Sequence, residues 1–247
     1  MKKWRQYFIQ SAASLKAIEA ILPYLWALGL VLCCVGLFGG LGLAPSDFQQ
    51  GNGFRIIYIH VPSAILSLLI YLAMSIMAII GLVYRIKTAY LALESGYVVG
   101  FFFTLMALIT GSIWGKPMWG TYWIWDARLS SELILAFIYL ALIGLNHAFE
   151  QHENRNFIMA IITLVAAVDI PIIHYSVAWF STLHQGASLS LVGPSTIQST
   201  MLWPLYVMIV GFFILALAMG LWRMSALIIL RERHNKAIRQ YVLGDAL

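Results

Sequence analysis

Six long apolar runs divide this sequence, and they constrain its fold more than any other feature. The runs cover residues 21–43, 57–84, 90–113, 131–149, 157–179 and 203–229. A helix needs about 20 apolar residues to cross the hydrocarbon core of a bilayer. Only 10% of the 247 residues are charged, whereas soluble domains carry about 25%. The sequence therefore predicts an all-α membrane protein, with residues 1–247 forming a single bundle of six transmembrane helices.

The charges between the runs predict how the bundle is oriented. An even number of spans places both termini on one side of the membrane. Twelve Lys and Arg residues, Lys2, Lys3 and Arg5 among them, fall on that side, and only Arg55, Lys116 and Arg128 fall on the other. Cytoplasmic loops carry the excess of Lys and Arg. We therefore expect cytoplasmic N- and C-termini and an outer face that is the periplasm in a Gram-negative cell.

Several function classes lack their motifs in this sequence. The net charge of +5 does not indicate a nucleic-acid partner, because the cations cluster in short segments between apolar runs. There is no P-loop, no GxSxG, no HExxH and no CxxCH. The two cysteines, Cys33 and Cys34, are adjacent within an apolar run, so we expect them to pack rather than to form a disulfide or a zinc site.

Residues 114–130, WGKPMWGTYWIWDARLS, are expected to form a tryptophan-rich loop on the outer face. Trp114, Trp119, Trp123 and Trp125 lie within a dozen residues. Aromatic side chains also form anchoring belts at membrane interfaces, but a belt places one or two at each helix end. The density here favours a platform for a flat apolar ligand. The i, i+4 spacing of Trp119 and Trp123 would place both on one face of a helical turn.

Two histidines fall near the same outer boundary. His60 begins the second run, and His184 follows the fifth. A lone histidine at an interface usually satisfies a local hydrogen bond. Two of them flanking a tryptophan platform favour metal ligation, since neutral imidazole is a usual axial ligand of haem iron.

Three further residues on this face are candidates for ligand binding. Arg55 and Arg128 have planar guanidinium groups that suit carboxylates such as haem propionates. Alternatively, Arg128 pairs with Asp126, or with Glu132 at i+4. Asp126 either contacts the ligand or accepts backbone N–H groups within the loop.

The fifth run contains ionisable residues that need a separate interpretation. Asp169 and His174 lie within it, together with Pro171, so we expect a kink or a stop there. Ionisable groups at membrane depth often mark functional sites. For Asp169 and His174 a packing role is favoured over a proton or ligand role, because their spacing of five residues does not make them helical neighbours.

The stretch WGKPMWGTYWIWDARLSSELILAF resembles the "WWD" segment of the haem-handling membrane proteins of cytochrome c maturation. Within that group the chain is most similar to the CcmC family. IIYIHVPSA around His60, DIPIIHYSVAWFSTLHQGAS around His184, the six runs and the chain length extend the resemblance over essentially the whole sequence.

The resemblance implies haem b as the cofactor, bound at the WWD segment on the periplasmic face of the bacterial inner membrane. It implies His60 and His184 as the axial ligands of the iron. The haem would pass to the periplasmic haem chaperone CcmE, with CcmA, CcmB and CcmD as further partners. The chain would then be a haem-binding and haem-transfer scaffold in membrane lipid, and not an enzyme.

Three other functions are weighed against this one. A cytochrome c synthase of the CcsA or CcmF kind also carries a WWD segment, but pairs it with further transmembrane histidines, and only His174 is a candidate here. A haem exporter would need a path through the bundle, and the sequence shows no clear internal repeat. A structural subunit would use the tryptophans only as anchors.

Overall fold

A computed structural model describes residues 11–149, 154–184 and 197–243. Lys2, Lys3 and Arg5, which contributed to the predicted orientation, lie outside these ranges, as does the end of the motif around His184. Within the described ranges the regular structure is helical, apart from one isolated bridge between Asp47 and Gly51.

The helices follow one another with short connections. Helix α1 (Ser11–Leu37) continues into a π-helical turn (Phe38–Leu43), and a 3-10 turn (Asn52–Ile56) leads into α2 (Ile57–Tyr84). The remaining helices are α3 (Lys87–Trp119), α4 (Ala127–Ala148), α5 (Arg155–Ala166), α6 (Asp169–Trp179), α7 (Ser199–Arg231) and α8 (Lys236–Leu243).

Six helical segments are long and apolar enough to cross a membrane, which confirms the predicted fold class. They are Ala12–Leu43, Asn52–Tyr84, Lys87–Trp119, Ala127–Ala148, Arg155–Trp179 and Ser199–Arg231. Large apolar side chains cover the outside of the bundle, among them Val31, Val165 and Trp222, which are 58%, 71% and 63% exposed. Such an apolar exterior is what a chain dissolved in lipid requires, because hydrocarbon and not water surrounds it.

The fifth span is interrupted, as its Asp and Pro residues predict. Helix α5 ends at Ala166, and α6 begins at Asp169. Pro171 lies in the first turn of α6, where its missing N–H costs no hydrogen bond within the helix. The break therefore lies just before the proline.

Buried tyrosines join the helices across the core. Tyr58, Tyr71 and Tyr139 are fully buried. Their hydroxyl groups donate to the carbonyls of Met201 at 3.1 Å, Thr163 at 3.1 Å and Ser67 at 3.0 Å. A hydroxyl group inside a membrane bundle needs such an internal partner. These bonds fix α2 against α7 and α5, and α4 against α2.

Candidate functional site

His60, His184 and the tryptophan segment lie at the end of the bundle opposite the two termini. Three connections meet there: residues 44–56, residues 120–126, and the segment after α6, of which residues 180–184 and 197–198 are described. His60 occupies the first turn of α2, directly after the 3-10 turn. Trp114 and Trp119 lie in the last two turns of α3.

Contacts with helix α3 determine which ring nitrogen of His60 carries the proton in the neutral imidazole, that is, its tautomer. Nδ1 of His60 lies 3.1 Å from the carbonyl oxygen of Ala107 and 3.1 Å from Oγ1 of Thr110. The hydroxyl group of Thr110 donates its own proton to the carbonyl of Met106 at 2.6 Å, so its oxygen can only accept from His60. Both partners are acceptors, and Nδ1 must therefore carry the proton. This assignment leaves Nε2 with a free lone pair.

The ring of His60 packs closely against Gly111 and Trp114 of α3. A Cβ atom at Gly111 would lie 2.9 Å from Cε1 of His60, so any larger residue would displace the imidazole. The indole of Trp114 meets the ring edge-on, with centroids 5.5 Å apart and planes at 75°. Nε1 of Trp114 donates to Oε1 of Gln50 at 2.9 Å. The Trp114 side chain thereby connects the 44–56 segment to the His60 ring.

The second histidine contacts the next tryptophan of α3. The rings of His184 and Trp119 are tilted, with centroids 6.4 Å apart. Trp119 packs over Gly115, where a Cβ atom would lie 2.8 Å from Cε3 of the indole. The end of α3 thus supplies one tryptophan contact to each histidine.

The tryptophan segment is not one continuous loop, which corrects the expectation for residues 114–130. Helix α3 continues through Gly115 and Pro117 to Trp119 and ends at Gly120, whose φ of 77° is left-handed and whose N–H donates to the carbonyl of Lys116 at 3.0 Å. A glycine in this conformation is a common helix C-cap. Trp119 and Trp123 therefore do not share a helical turn, because the helix ends between them.

The other two tryptophans lie in the irregular residues 120–126. Trp123 and Trp125 contact each other edge-to-face, with centroids 5.5 Å apart. The Trp125 side chain is 78% exposed, whereas Nε1 of Trp123 is buried with no partner among the described residues. This segment therefore presents a free indole surface and an unused buried donor beside α4.

Asp126 caps helix α4. Its Oδ1 accepts the backbone N–H of Leu129 at 2.8 Å, which is the usual role of an aspartate at this position. Its Oδ2 is buried without a partner in the described part of the chain. The predicted backbone-accepting role is confirmed, and the predicted ligand contact stays a prediction.

Arg128 joins α4 to α6. Its Nη1 donates to the carbonyl of Ile173 at 2.9 Å. Among the described residues no ion pair within 4.0 Å joins Arg128 to Asp126 or to Glu132. In the described part of the chain the guanidinium thus uses one of its five N–H groups.

Arg55 is bound to the end of the first span. Nη1 donates to the carbonyls of Gly40 and Leu41, Nη2 donates to that of Ala44 at 2.8 Å, and Nε donates to Oδ1 of Asn52 at 3.2 Å. Four of its five N–H groups are therefore used, and one remains. Arg55 fixes the 44–56 segment, and Arg128 has the greater capacity for a further acceptor.

Asp169 and His174 lie on the fifth span, and Glu132 lies on the fourth. Asp169 is 5% exposed, and its Oδ2 has no described partner; Glu132 is 8% exposed, and its Oε1 has none. His174 lies on the exposed side of α6 with its ring 4.7 Å from that of Tyr175. His174 therefore does not point into the bundle.

Sequence reasoning missed the residues that position the histidine. Ala107, Thr110, Gly111 and Trp114 follow the i, i+3, i+4, i+7 spacing of one helix face. A helix face of small residues that ends in a tryptophan leaves room for a ring from a neighbouring helix. This pattern could have indicated that a side chain packs against α3. Gln50 could not have been found, since it is 64 residues from Trp114.

Comparison with known proteins agrees with the resemblance seen in the sequence. A family model described as CcmC, "Heme exporter protein C", matches residues 4–239. The chain is 46% identical over 222 residues to "Heme exporter protein C" of Escherichia coli (strain K12), covering 90% of this chain and 89% of that protein. It is 44% identical over 223 residues to the protein of that name from Haemophilus influenzae, covering 90% and 91%. For Bradyrhizobium diazoefficiens the identity is 43% over 220 residues, covering 89% and 83%. On this evidence of sequence and extent, the chain belongs to the CcmC family.

Proposed function

We propose that this protein binds haem at the end of the bundle opposite its termini and presents it to the periplasmic chaperone CcmE for cytochrome c maturation. The observation that carries the proposal is the fixed tautomer of His60, whose Nδ1 donates to Ala107 and Thr110 and whose Nε2 keeps its lone pair. Histidines that bind metals usually donate their second ring N–H to a carbonyl or hydroxyl in this way.

The donor set fits haem better than a bare metal ion. Among the described residues no group of three or more His, Cys, Asp or Glu side chains could hold a metal ion. Haem needs only two protein ligands, because the porphyrin supplies the other four. His60 and His184 would be these ligands, and bound haem b would supply the iron and the reactive porphyrin edge. The family and its relatives, named for heme export, support this choice of cargo.

The other site residues would hold the macrocycle in one orientation. Trp114, Trp119, Trp123 and Trp125 would cover its faces, since planar indoles bury large apolar areas. Arg128, which uses one of its five N–H groups among the described residues, would bind a propionate, and Arg55, which uses four there, would add the fifth. Asp126 would hold the start of α4 in place and contact the ligand only through its second oxygen. The chain thus acts as a scaffold and supplies no nucleophile.

The membrane setting follows from the charges. We propose the bacterial inner membrane, with cytoplasmic termini and a periplasmic haem site, because most of the cations lie on the terminus side. CcmA, CcmB and CcmD complete the set of proposed partners. The test of the whole proposal is the absorption spectrum of the detergent-purified protein. We expect bound haem in the wild type, its loss in His60→Gly and in His184→Gly, and its return when imidazole is added.

A matched control separates ligation from general damage. His174 lies on α6 in the same half of the bundle but on its exposed surface, so His174→Gly should keep the wild-type haem spectrum. Unchanged haem content in both His60→Gly and His184→Gly would refute the proposed ligands.

The relatives are named for heme export, and this name supports a second candidate function, the movement of haem across the membrane. It would be tested with purified protein in sealed liposomes. Haem that appears on the far side at a rate dependent on this chain alone would favour transport. Haem that stays on the side of His60 until a chaperone removes it would favour presentation.

A further inference from the structure

A polar pocket lies at the other end of the bundle, the end that carries both termini. Helices α3, α4 and α7 line it, with Glu94, Tyr97, Asn146, His147 and Arg223 among its side chains. Neither the tryptophan segment nor the two histidines of the proposed haem site reach this end of the helices. The pocket therefore needs an explanation of its own.

Three arginines and one carboxylate lie in or beside this pocket among the described residues. Glu94 is the shared acceptor: its Oε1 accepts from Nδ2 of Asn146 at 3.0 Å, its Oε2 lies 3.9 Å from Nη2 of Arg155, and Arg231 forms a close ion pair with the same oxygen. The side chains of Glu94, Arg155 and Arg231 are only 11%, 13% and 17% exposed. The Glu94 carboxylate thus contacts two guanidinium groups that are largely out of water.

A third guanidinium has no counter-charge in the described part of the chain. Nε of Arg223 is buried and has no hydrogen-bond partner there, and no ion pair is formed by this residue. Leaving a buried N–H donor without an acceptor is unfavourable. A bound anion would remove this cost. Arginine is suited to the task, because its planar fork matches the oxygens of a phosphate group.

The surroundings indicate that the anion meets the pocket at the lipid surface. Val98, which lines the pocket, is 41% exposed, and Trp222, next to Arg223 in the chain, is 63% exposed. Tryptophan is enriched where membrane helices meet the head-group layer. Basic pockets between transmembrane helices on the cytoplasmic side bind the head groups of anionic lipids. These apolar neighbours would accommodate acyl chains beside the charged pocket.

We propose that this pocket binds a phosphate anion, carried by the head group of an anionic phospholipid or free in solution, with Arg223 as the residue that contacts it. Arg155 and Arg231 hold the remaining positive charge in place through Glu94. The bound anion joins α3, α4, α5 and α7 at the terminus end, and this role does not depend on haem.

Native mass spectrometry of the purified full-length protein tests the proposal. The protein is titrated separately with phosphatidylglycerol, with zwitterionic phosphatidylcholine and with inorganic phosphate. We expect one tightly bound phosphatidylglycerol in the wild type, and binding at least about tenfold weaker in Arg223→Gln, since the bond is made between charged groups. Arg223→Lys, which keeps the charge but not the fork, should fall between the two.

Arg233→Gln is the matched control, because Arg233 lies near the same end but is exposed. It should bind lipid as the wild type does. Competition by inorganic phosphate at the same site would identify a free phosphate as a sufficient ligand, and its failure would identify the lipid head group. The proposal is overturned if phosphatidylcholine binds as tightly as phosphatidylglycerol, or if Arg223→Gln retains wild-type affinity. Thermal unfolding without lipid confirms that each variant is folded.

Discussion

The hydroxyl group of Thr110 accepts a hydrogen bond from His60 while donating one to the carbonyl of Met106. This pairing determines which nitrogen of the imidazole is protonated. A residue one helix away from the candidate ligand thereby controls whether Nε2 is free to bind iron. The arrangement makes Thr110 a positioning residue whose removal has a defined spectroscopic consequence.

Thr110→Val removes one of the two acceptors of Nδ1 while keeping the shape of the side chain. We expect haem to be retained about tenfold less tightly, since loss of such outer partners costs 10–100-fold in metal affinity. The measurement is a spectral haem titration. Thr104→Val is the control: Thr104 lies on the same helix, and its hydroxyl group bonds only to the carbonyl of Gly100. Equal haem affinity in the two variants would contradict this role for Thr110.

Gly111→Ala places a methyl group where the His60 ring lies. The added Cβ would come within 2.9 Å of Cε1, so the ring must move and its bonds to α3 must lengthen. We expect a folded protein with strongly reduced haem content. In Gly144→Ala the added methyl group meets nothing within 4 Å, and haem content should not change. Retention of a wild-type spectrum by Gly111→Ala would show that the ring has room to adjust.

Arg128 and Arg55 should differ in how they respond to the charge of the ligand. Among the described residues Arg128 uses one of its five N–H groups in hydrogen bonds, and Arg55 uses four. We expect Arg128→Gln to weaken haem binding by about 1.5–3 kcal/mol, the usual worth of a hydrogen bond to a charged group.

The haem dimethyl ester, which lacks free propionates, provides the control for Arg128. With this ligand the difference between wild type and Arg128→Gln should disappear. Arg55→Gln should lower the affinity for haem and for the ester by similar factors, because its main effect is to loosen the 44–56 segment. A difference that persists with the ester would assign Arg128 a purely structural role.

Gln50→Ala breaks the bond between the 44–56 segment and Trp114. A neutral hydrogen bond contributes about 1 kcal/mol, so the backbone amides of this segment should exchange hydrogen about fivefold faster. Hydrogen exchange followed by mass spectrometry measures this change. Gln49→Ala should leave the exchange rates unchanged, since the Gln49 backbone, not its side chain, bonds to Asp47.

Asp126→Ala removes the cap of α4 and should lower the stability of the protein by about 1 kcal/mol. Asp126→Asn keeps an accepting oxygen for the N–H of Leu129 and should preserve most of that stability. Comparing the thermal midpoints of the two variants with their haem spectra separates the cap from a ligand contact. Haem loss in Asp126→Asn at wild-type stability would show that Oδ2 touches the ligand.

The fold was predictable because apolar runs of membrane length report on burial in lipid directly. The interruption before Pro171 was also predictable, from a residue that cannot continue a helix hydrogen-bond pattern. The boundary at Trp114 was wrong for a physical reason. Gly115 and Pro117 suggested a stop, but α3 ends only at Gly120, which, unlike Gly115, adopts the left-handed conformation.

The detail of the candidate site depended on contacts that sequence spacing does not contain. His60 and Ala107 are 47 residues apart, and their hydrogen bond exists only because α2 and α3 pack side by side. The hydrogen bonds of the Arg55 guanidinium likewise depend on the π-helical turn that ends the first span. Residue types suggested the chemistry, and packing determined the protonation form and the free donors.

The Arg55 contacts have a consequence for how the first span meets the membrane surface. The last carbonyls of a membrane helix normally need water, so that end must reach the aqueous layer. Here a guanidinium replaces the water at Gly40, Leu41 and Ala44. The carbonyls at this helix end therefore accept hydrogen bonds from the protein itself and not from water. Replacing Arg55 would leave these three carbonyls to be solvated by water, so this end of the span would have to stay at the aqueous surface.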